Sequence, residues 1–330
     1  LMQSFASATR EFAENHAAAL ASVFVAGASI VGLRLWLAGG VCRSKVRLDG
    51  KTVLITGANT GIGKETALDL AQRGARVILA CRDLTRARLA ADEIRQQSGN
   101  GNVVVKKLDL ASLQSVRDLA KDVEENEERL DVLINNAGIM MCPKWQTEDG
   151  FEMQFGVNHL GHFLLTNCLL NLLKKSAPSR IVIVSSLAHK RGQIHFEDIN
   201  LDKDYGREKS YRQSKLANVL FCKELAARLQ GTGVTVYSLH PGVIRTELSR
   251  HLLPTLAWWV RMIIVPIMWM NKSPREGAQT TIYCAVEESV AQESGLYYSD
   301  CAPKMPAPQA MDDAAAKRLW DLSASMVGLA

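Results

Sequence analysis

The chain has no Cys-x-x-Cys pair, no histidine-rich tract and no block of like charge, and each absence removes a class of function. Its seven cysteines, Cys42, Cys81, Cys142, Cys168, Cys222, Cys284 and Cys301, are scattered singly. That pattern argues against a disulfide framework or a zinc site and for buried free thiols in a reducing compartment. The net charge of +5 is modest, and aromatic residues, at 6%, do not interleave with basic ones. No nucleic-acid partner is expected from such a pattern. Internal repeats and low-complexity linkers are also missing, so 330 residues suit one large α/β domain with extensions.

What is present is organised around residues 51–74, which read as strand, turn and helix. Val53, Leu54 and Ile55 form the short apolar run of a strand buried on both faces. Thr56-Gly57-Ala58-Asn59-Thr60-Gly61-Ile62-Gly63 follows, and then Ile62, Thr66 and Leu70 recur at helical spacing until Gly74 stops the pattern. Glycines let main-chain N–H groups approach a pyrophosphate at the positive end of a helix. With a second strand following at 76–81, the turn reads as a dinucleotide site.

The first 47 residues differ from the rest. From Ala17 to Leu33 every residue is small or apolar except Ser22 and Ser29; Arg34 interrupts, and Leu35, Trp36 and Leu37 resume. A membrane span needs roughly 20 apolar residues, so 17–37 is expected to be an anchor helix. Arg43, Lys45 and Arg47 follow, which puts the domain on the cytosolic side by the positive-inside rule. A cleaved signal peptide is a weaker reading, because no basic region closely precedes the run and no clear cleavage site follows it. An amphipathic targeting helix, suggested by Arg10 and the Ser/Ala-rich opening, competes with the anchor.

From Lys51 on, strand and helix patterns alternate, which implies a parallel sheet covered on both faces. Strands are expected at 76–81, 103–108, 132–135, 180–185 and 235–239, with one more at 295–298. Helices are expected at 84–97, about 113–125, 156–174 and 210–229. The fold class is therefore α/β: a single Rossmann-type doubly wound sheet over 48–330, preceded by the anchor.

Five stations then occur in order: Thr56-Gly57 with Gly61-Ile62-Gly63, Asn135-Asn136-Ala137-Gly138, Ser185-Ser186, Tyr211 with Ser214-Lys215, and Pro241-Gly242. Together they resemble the short-chain dehydrogenase/reductase family over about 48–300. Gly57 to Glu65, Leu79-Ala80-Cys81-Arg82-Asp83, Asn158-His159-Leu160-Gly161-His162-Phe163 and Leu216-Ala217-Asn218 look more narrowly like its microsomal retinol dehydrogenases. Residues 38–43 with 275–280 lean to one branch of that group and 151–156 to another, so the paralogue stays open.

Tyr211 and Lys215 stand one helical turn apart on one face. A phenol titrates near pH 10, and a nearby ammonium is expected to lower that value. Tyr211 then exchanges a proton with a carbonyl or alcohol oxygen while hydride moves at carbon. The resemblance makes Ser186, not Ser185, the serine that holds the substrate oxygen, gives Lys215 a second bond to the nicotinamide ribose, and makes Asn158 the fourth catalytic member. A water relay from Asn158 toward Lys215 would satisfy that amide in an otherwise apolar helix. Residues 193–209 are an insertion that the retinol dehydrogenases share. Tyr205 within it is a decoy beside Asp202, Asp204 and Gly206 in a polar loop. His159 and His162 lack a third ligand at helical spacing and read as packing residues; no metal is expected.

Cofactor contacts implied by the resemblance are Gly57, Asn59, Thr60, Gly61, Ile62, Gly63 and Lys64 at the first turn, with Arg82 after the second strand. Asp109 and Leu110 face the adenine, Asn136, Ala137 and Gly138 line the ribose, and Pro241, Gly242, Val243 and Thr246 bracket the nicotinamide. Where an NAD enzyme places an acid, this chain has Cys81-Arg82, with Asp83 one position late. Arg82 and Lys64 suit a 2′-phosphate, so NADP(H) is expected; Asp83 as a ribose acid is the competing reading.

The segment 252–270 is unusually apolar, and 246–275 is expected to close over the substrate. Pro254, Arg261 and Pro266 count against a second span. A lid dipping into the bilayer and a core helix pair fit equally well. With the anchor, this favours a lipophilic substrate. The expectation is a membrane-associated, NADP(H)-dependent enzyme interconverting retinal and retinol, mainly by all-trans-retinal reduction, with Tyr211 as general acid/base. It would sit in the endoplasmic reticulum membrane with its catalytic domain in the cytosol, the mitochondrial inner membrane being the alternative. The resemblance also implies a homodimer. A hydroxysteroid or lipid-aldehyde reductase competes, as does a non-catalytic NADPH sensor or scaffold.

Overall fold

The computed structural model describes residues 16–329 apart from 18, 20, 23, 26, 30, 35, 36 and 245–270. The chain divides into two units, Leu1–Gly39 and Gly40–Ala330. In the first, the described residues from 16 to 34 are helical, and Phe24, Val25, Val31 and Leu33 expose apolar side chains. Among the described residues no helix is long and apolar enough to cross a membrane. The expected anchor at 17–37 includes positions outside those described.

The second unit is built on an eight-stranded sheet. Its strands are β1 (Thr52–Thr56), β2 (Arg76–Cys81), β3 (Val103–Lys107), β4 (Val132–Asn135), β5 (Ser179–Val184), β6 (Val234–His240), β7 (Leu296–Ser299) and β8 (Ala302–Pro303). The order is β3-β2-β1-β4-β5-β6-β7-β8, parallel throughout except for the antiparallel β7–β8 pair. The chain reverses direction across the sheet between β1 and β4, the place where open α/β sheets bind ligands at their carboxyl edge.

Strand alternation feeds two apolar layers. Leu54, Ile78, Leu133 and Ile181 face one side, and Val53, Ile55, Val77, Ile134 and Val182 the other. Helices α1 (Gly61–Gln72) and α2 (Leu84–Ser98) cover the second side. On the first lie α3 (Leu113–Asn126), α4 (Gly161–Cys168), α5 (Leu170–Lys175) and α6 (Arg207–Arg228). Later in the chain, α7 (Pro274–Val286) joins α1 and α2, while α8 (Asp313–Met326) packs against α6. Neither α7 nor α8 is among the helices expected from the sequence. Ser273 caps α7 in a two-way capping box with Glu276, so the stretch expected to be lid at 246–275 ends as the start of a helix.

The expected continuous helix at 156–174 is a correction. The chain forms a short turn, Met153–Phe155, then a π turn, Gly156–Leu160, and only then α4 and α5. The amide of Gly161 reaches back to the carbonyl of Gly156, five residues earlier. The turn is closely packed: a Cβ on Gly161 would lie 2.7 Å from the Leu110 carbonyl oxygen. An apolar period does not reveal an inserted residue, and such π turns gather at functional sites. Asn158 sits in this one.

Candidate active site

One cavity of about 1480 Å³ runs along the carboxyl edge of the sheet. Its floor is the β1–α1 turn. Gly57 (φ +67°) and Gly61 (φ +56°) take left-handed backbone angles there, and a Cβ on Gly57 would lie 2.9 Å from that of Ala137. Thr60 precedes α1 without a side-chain cap, and the first turn carries no acid. The helix amides are therefore left to a ligand, an arrangement that fits a pyrophosphate. Gly63 lies beneath Asn136, whose amide donates to the carbonyl of Thr56 at 2.8 Å and braces β1 against the loop after β4.

The wall also includes Arg82, Asp83, Arg86, Asp109 and Leu110. Asp83 caps α2, accepting from the Arg86 amide at 3.0 Å, so part of its capacity is already used. Lys64 is placed differently from the expectation. It is not on the wall, and its ammonium pairs with Glu93 of α2. Arg86 stands on the wall instead, a residue the motif reading missed. The signal was there: Asp83-Leu84-Thr85-Arg86 opens a helix, and first-turn side chains lean back toward the helix start. Lys107 adds to the positive field through its 2.8 Å bond to the Arg82 carbonyl.

The candidate reacting groups come together on the same cavity wall. Ser186, Tyr211 and Lys215 all line the cavity. Ser186 caps the 3₁₀ turn Leu187–Arg191, accepting from the Ala188 amide at 3.2 Å, and also hydrogen-bonds Tyr211. Lys215 donates to the carbonyl of Val184 at 3.1 Å, and its ammonium lies 5.8 Å from the Tyr211 ring centre. Ser185 instead spends its hydroxyl on the Lys215 carbonyl at 2.6 Å. Tyr205 is off the wall and donates to the carbonyls of Cys142 and Pro143.

Electrostatics reverse one expectation. Burial pushes the Tyr211 phenol above its ordinary value, and the bond from Ser186 acts downward without prevailing. Burial also depresses Lys215, to about 8. The physical reason is that both groups lie deep in the protein, where desolvation disfavours either charge.

Asn158 is tied into the scaffold rather than left for a relay through its amide. Its Oδ1 accepts from the Ile139 amide at 2.8 Å, and its Nδ2 donates to the Ile139 carbonyl at 3.0 Å and to Ser214 Oγ at 2.9 Å. It nevertheless comes close to Lys215. A Cβ on Gly138 would lie 3.4 Å from Asn158 Oδ1 and 3.5 Å from Lys215 Nζ.

Pro241, Gly242 and Val243 close the cavity beyond Tyr211. Gly242 (φ +98°) rests on the buried stem of Lys272, whose ammonium pairs with Asp300 at 2.6 Å. Thr246 and the apolar stretch 252–270 lie outside the described residues. Met140, Met141, Trp145, Met153, Val157 and Leu187 add apolar side chains to the wall, which also carries Lys190, Arg191 and Arg212. Among the described residues no group of His, Cys, Asp and Glu is disposed to hold a metal. His159 packs between Phe155, Phe163 and Phe221 and bonds Ser323 of α8 at 2.8 Å.

The short chain dehydrogenase model matches residues 51–257. Human retinol dehydrogenase 13 is 55% identical, with 92% of each chain aligned. Mouse retinol dehydrogenase 11 is 54% identical, over 90% of this chain and 92% of its own length. Human retinol dehydrogenase 12 is 52% identical over the same shares. Among solved structures, an uncharacterised protein of Mycobacterium paratuberculosis superposes with a TM-score of 0.71 at 36% identity, covering 88% of this chain and 98% of that one. The NADP active-site complex of Pseudomonas aeruginosa RhlG superposes at 0.61 with 27% identity, covering 76% and 94%.

Proposed function

The chain belongs to the short chain dehydrogenase family and is an oxidoreductase, and from that premise we propose that it interconverts retinal and retinol with NADP(H), chiefly by reducing all-trans-retinal. The single observation that carries this reading is the cavity itself. Its lining combines uncapped helix amides and two arginines, the trio Ser186, Tyr211 and Lys215, and apolar side chains of methionine, tryptophan and leucine. A nucleotide together with a largely apolar molecule bearing one polar group matches such a lining.

The nicotinamide supplies hydride when bound. Gly57, Asn59, Thr60, Gly61, Ile62 and Gly63 would hold its pyrophosphate, with Asn136, Ala137 and Gly138 along the ribose and Asp109 and Leu110 at the adenine. Arg82, with Arg86 beside it, would accept a 2′-phosphate, the charge argument for NADP(H) over NAD(H). Pro241, Gly242 and Val243 would bracket the nicotinamide.

At neutral pH the buried Tyr211 phenol keeps its proton, the form needed to protonate a carbonyl oxygen as the carbon is reduced. Ser186 would donate to the same oxygen and hold it in line. Lys215 would reach the ribose hydroxyls and place a positive charge below the phenol. Asn158, braced between Ile139 and Ser214, would fix the helix from which Lys215 is approached. In a cytosol whose NADP pool is largely reduced, reduction is the favoured direction.

Relatives that are retinol dehydrogenases support the retinoid, and the apolar run at 17–37 supports attachment to the endoplasmic reticulum membrane with the catalytic unit in the cytosol. The test is paired kinetics on all-trans-retinal with NADPH and NADH, using detergent-solubilised full-length protein, together with membrane fractionation. Turnover preferring NADPH supports the reading. A substrate panel in which keto-steroids or lipid aldehydes react and retinal does not would replace the retinoid.

A further inference from the structure

His162 is buried in α4, and both of its ring nitrogens are engaged. Nδ1 lies 3.1 Å from the main-chain oxygen of Asn158, and Nε2 lies 2.8 Å from Thr56 Oγ1. A carbonyl oxygen can only accept, so Nδ1 carries the ring proton and Nε2 is the acceptor. The Thr56 hydroxyl then donates to Nε2. Its alternative acceptor, the Ile134 carbonyl, stands 3.5 Å away, at the limit of a hydrogen bond. With its hydrogen committed, Thr56 Oγ1 offers lone pairs to the amides of Asn136 and Ala137, both at 2.9 Å.

The same path continues past Asn158. Its Nδ2 donates to Ser214 Oγ at 2.9 Å, and the Ser214 hydroxyl donates to the main-chain carbonyl of Tyr211, also at 2.9 Å. Four side chains, Thr56, His162, Asn158 and Ser214, thus join the dinucleotide floor to the residue that carries the reacting phenol. Each hydrogen along the way has one acceptor at good distance, and at Asn158 the path passes from the main-chain carbonyl to the side-chain amide through the residue's own covalent frame. Nothing in packing requires this. An aliphatic side chain would fill the same core volume, whereas a buried imidazole demands two partners.

We propose that His162 is a positioning residue that couples the dinucleotide floor at Asn136–Ala137 to the π turn of Asn158 and, through Ser214, to Tyr211. The inference rests on the reading of that floor as an NADP(H) site. Loading the floor with nucleotide steadies the Asn136–Ala137 amides, which fixes the Thr56 hydroxyl and, through the ring, the Asn158 carbonyl. A π turn is the element such a contact can bias, since its main-chain bonding can revert to the α pattern.

Isosteres separate coupling from mere filling. His162→Asn keeps an amide N–H near Nδ1 and loses the reach to Thr56; His162→Gln keeps a group near Nε2 and loses Asn158; His162→Leu removes both. The readouts are hydrogen–deuterium exchange of peptides covering 135–139 and 156–162 with and without NADPH, kcat with retinal, and thermal melting. In the wild-type protein NADPH is expected to protect both peptides. In all three variants NADPH still protects 135–139 but no longer 156–162. His162→Gln and His162→Leu also lose protection at 156–162 without nucleotide, which His162→Asn retains. kcat falls about tenfold or more in His162→Leu, the scale of a small misplacement of reacting groups. The proposal is overturned if 156–162 responds to NADPH in His162→Leu, if it does not respond in the wild type, or if kcat across the three variants simply follows melting temperature. A wild-type protein that shows the paired protection but reduces no retinal defeats the substrate assignment and leaves the coupling standing.

Discussion

The ammonium of Lys215 lies 5.8 Å from the centre of the Tyr211 ring, yet burial rather than that charge dominates the phenol, which is held above its ordinary value. Tyr211 is thus poised as an acid. Replacing it by Phe keeps the ring and its packing while removing the proton, so Tyr211→Phe should lower kcat for retinal reduction by about 10³-fold, within the range for general acid catalysis. NADPH binding, followed by nucleotide fluorescence, should stay within about twofold, since the floor contacts lie elsewhere. Retained turnover would remove Tyr211 from the role.

The two directions should respond oppositely to pH. Reduction needs the protonated phenol and a charged Lys215, whose value burial lowers to about 8. Reduction should therefore hold through neutrality and decline above about pH 8. Oxidation of the alcohol needs the phenolate, so its rate should climb over the same interval. Parallel kcat/KM profiles from pH 6 to 10 would check this, and two profiles of the same slope would refute it.

Cofactor choice is predicted to rest on Arg82 rather than Lys64. Lys64 is turned toward Glu93, whereas Arg82 and Arg86 line the cavity. Arg82→Ala should weaken NADPH binding about tenfold or more, the scale of one charge-assisted bond, and leave NADH within about twofold. Lys64→Ala should change neither by more than about twofold, because an exposed ion pair contributes little. Titration of both nucleotides against the three proteins distinguishes these cases.

Legibility followed the physics of each element. β2 was readable to the residue, because a buried parallel strand shows as an unbroken run from Val77 to Cys81 between charged ends. Ser186, Tyr211 and Lys215 were legible through the family resemblance, and the structure places all three on one cavity wall. Lys64 is suggested by its charge and its place after the turn, and charge alone does not record direction: its ammonium pairs with Glu93. Helix α8 has an apolar face in Ala316, Leu319 and Trp320, but no motif drew attention beyond 300. The apolar wall from Met140 to Met153 comes from a loop, where side-chain direction follows no period. Both histidines near Asn158 looked alike in sequence, and only the fold separates His159 among aromatic rings from His162 on the nucleotide floor.

Acid should unfold the catalytic unit through its histidines. Burial, in each case the largest cause, holds His159 down to about 3, and His162 and His240 to about 4. Above pH 6.5 all three are neutral in the folded and the unfolded chain and make stability independent of pH. As pH falls from 6.5 toward 4 the unfolded chain binds these three protons that the fold refuses, each favouring unfolding by about 1.4 kcal/mol per pH unit. The combined loss approaches about 4 kcal/mol per unit near pH 5. Burial depresses His189 and His195 in the same direction. Carboxylates do not mimic this. Burial works to raise Asp131, but Arg129, the Thr52 amide and Lys51 together hold it below its ordinary value, so its contribution is lost only at pH values below the histidine window. Urea unfolding at pH 7, 6 and 5, followed by tryptophan fluorescence, should show stability level and then falling. In His162→Asn the slope between pH 6 and 5 should shrink by one proton's share, about 1 kcal/mol per pH unit. An unchanged slope would mean that His162 already binds its proton in the fold, and the neutral Nδ1–H form assigned to it would be wrong.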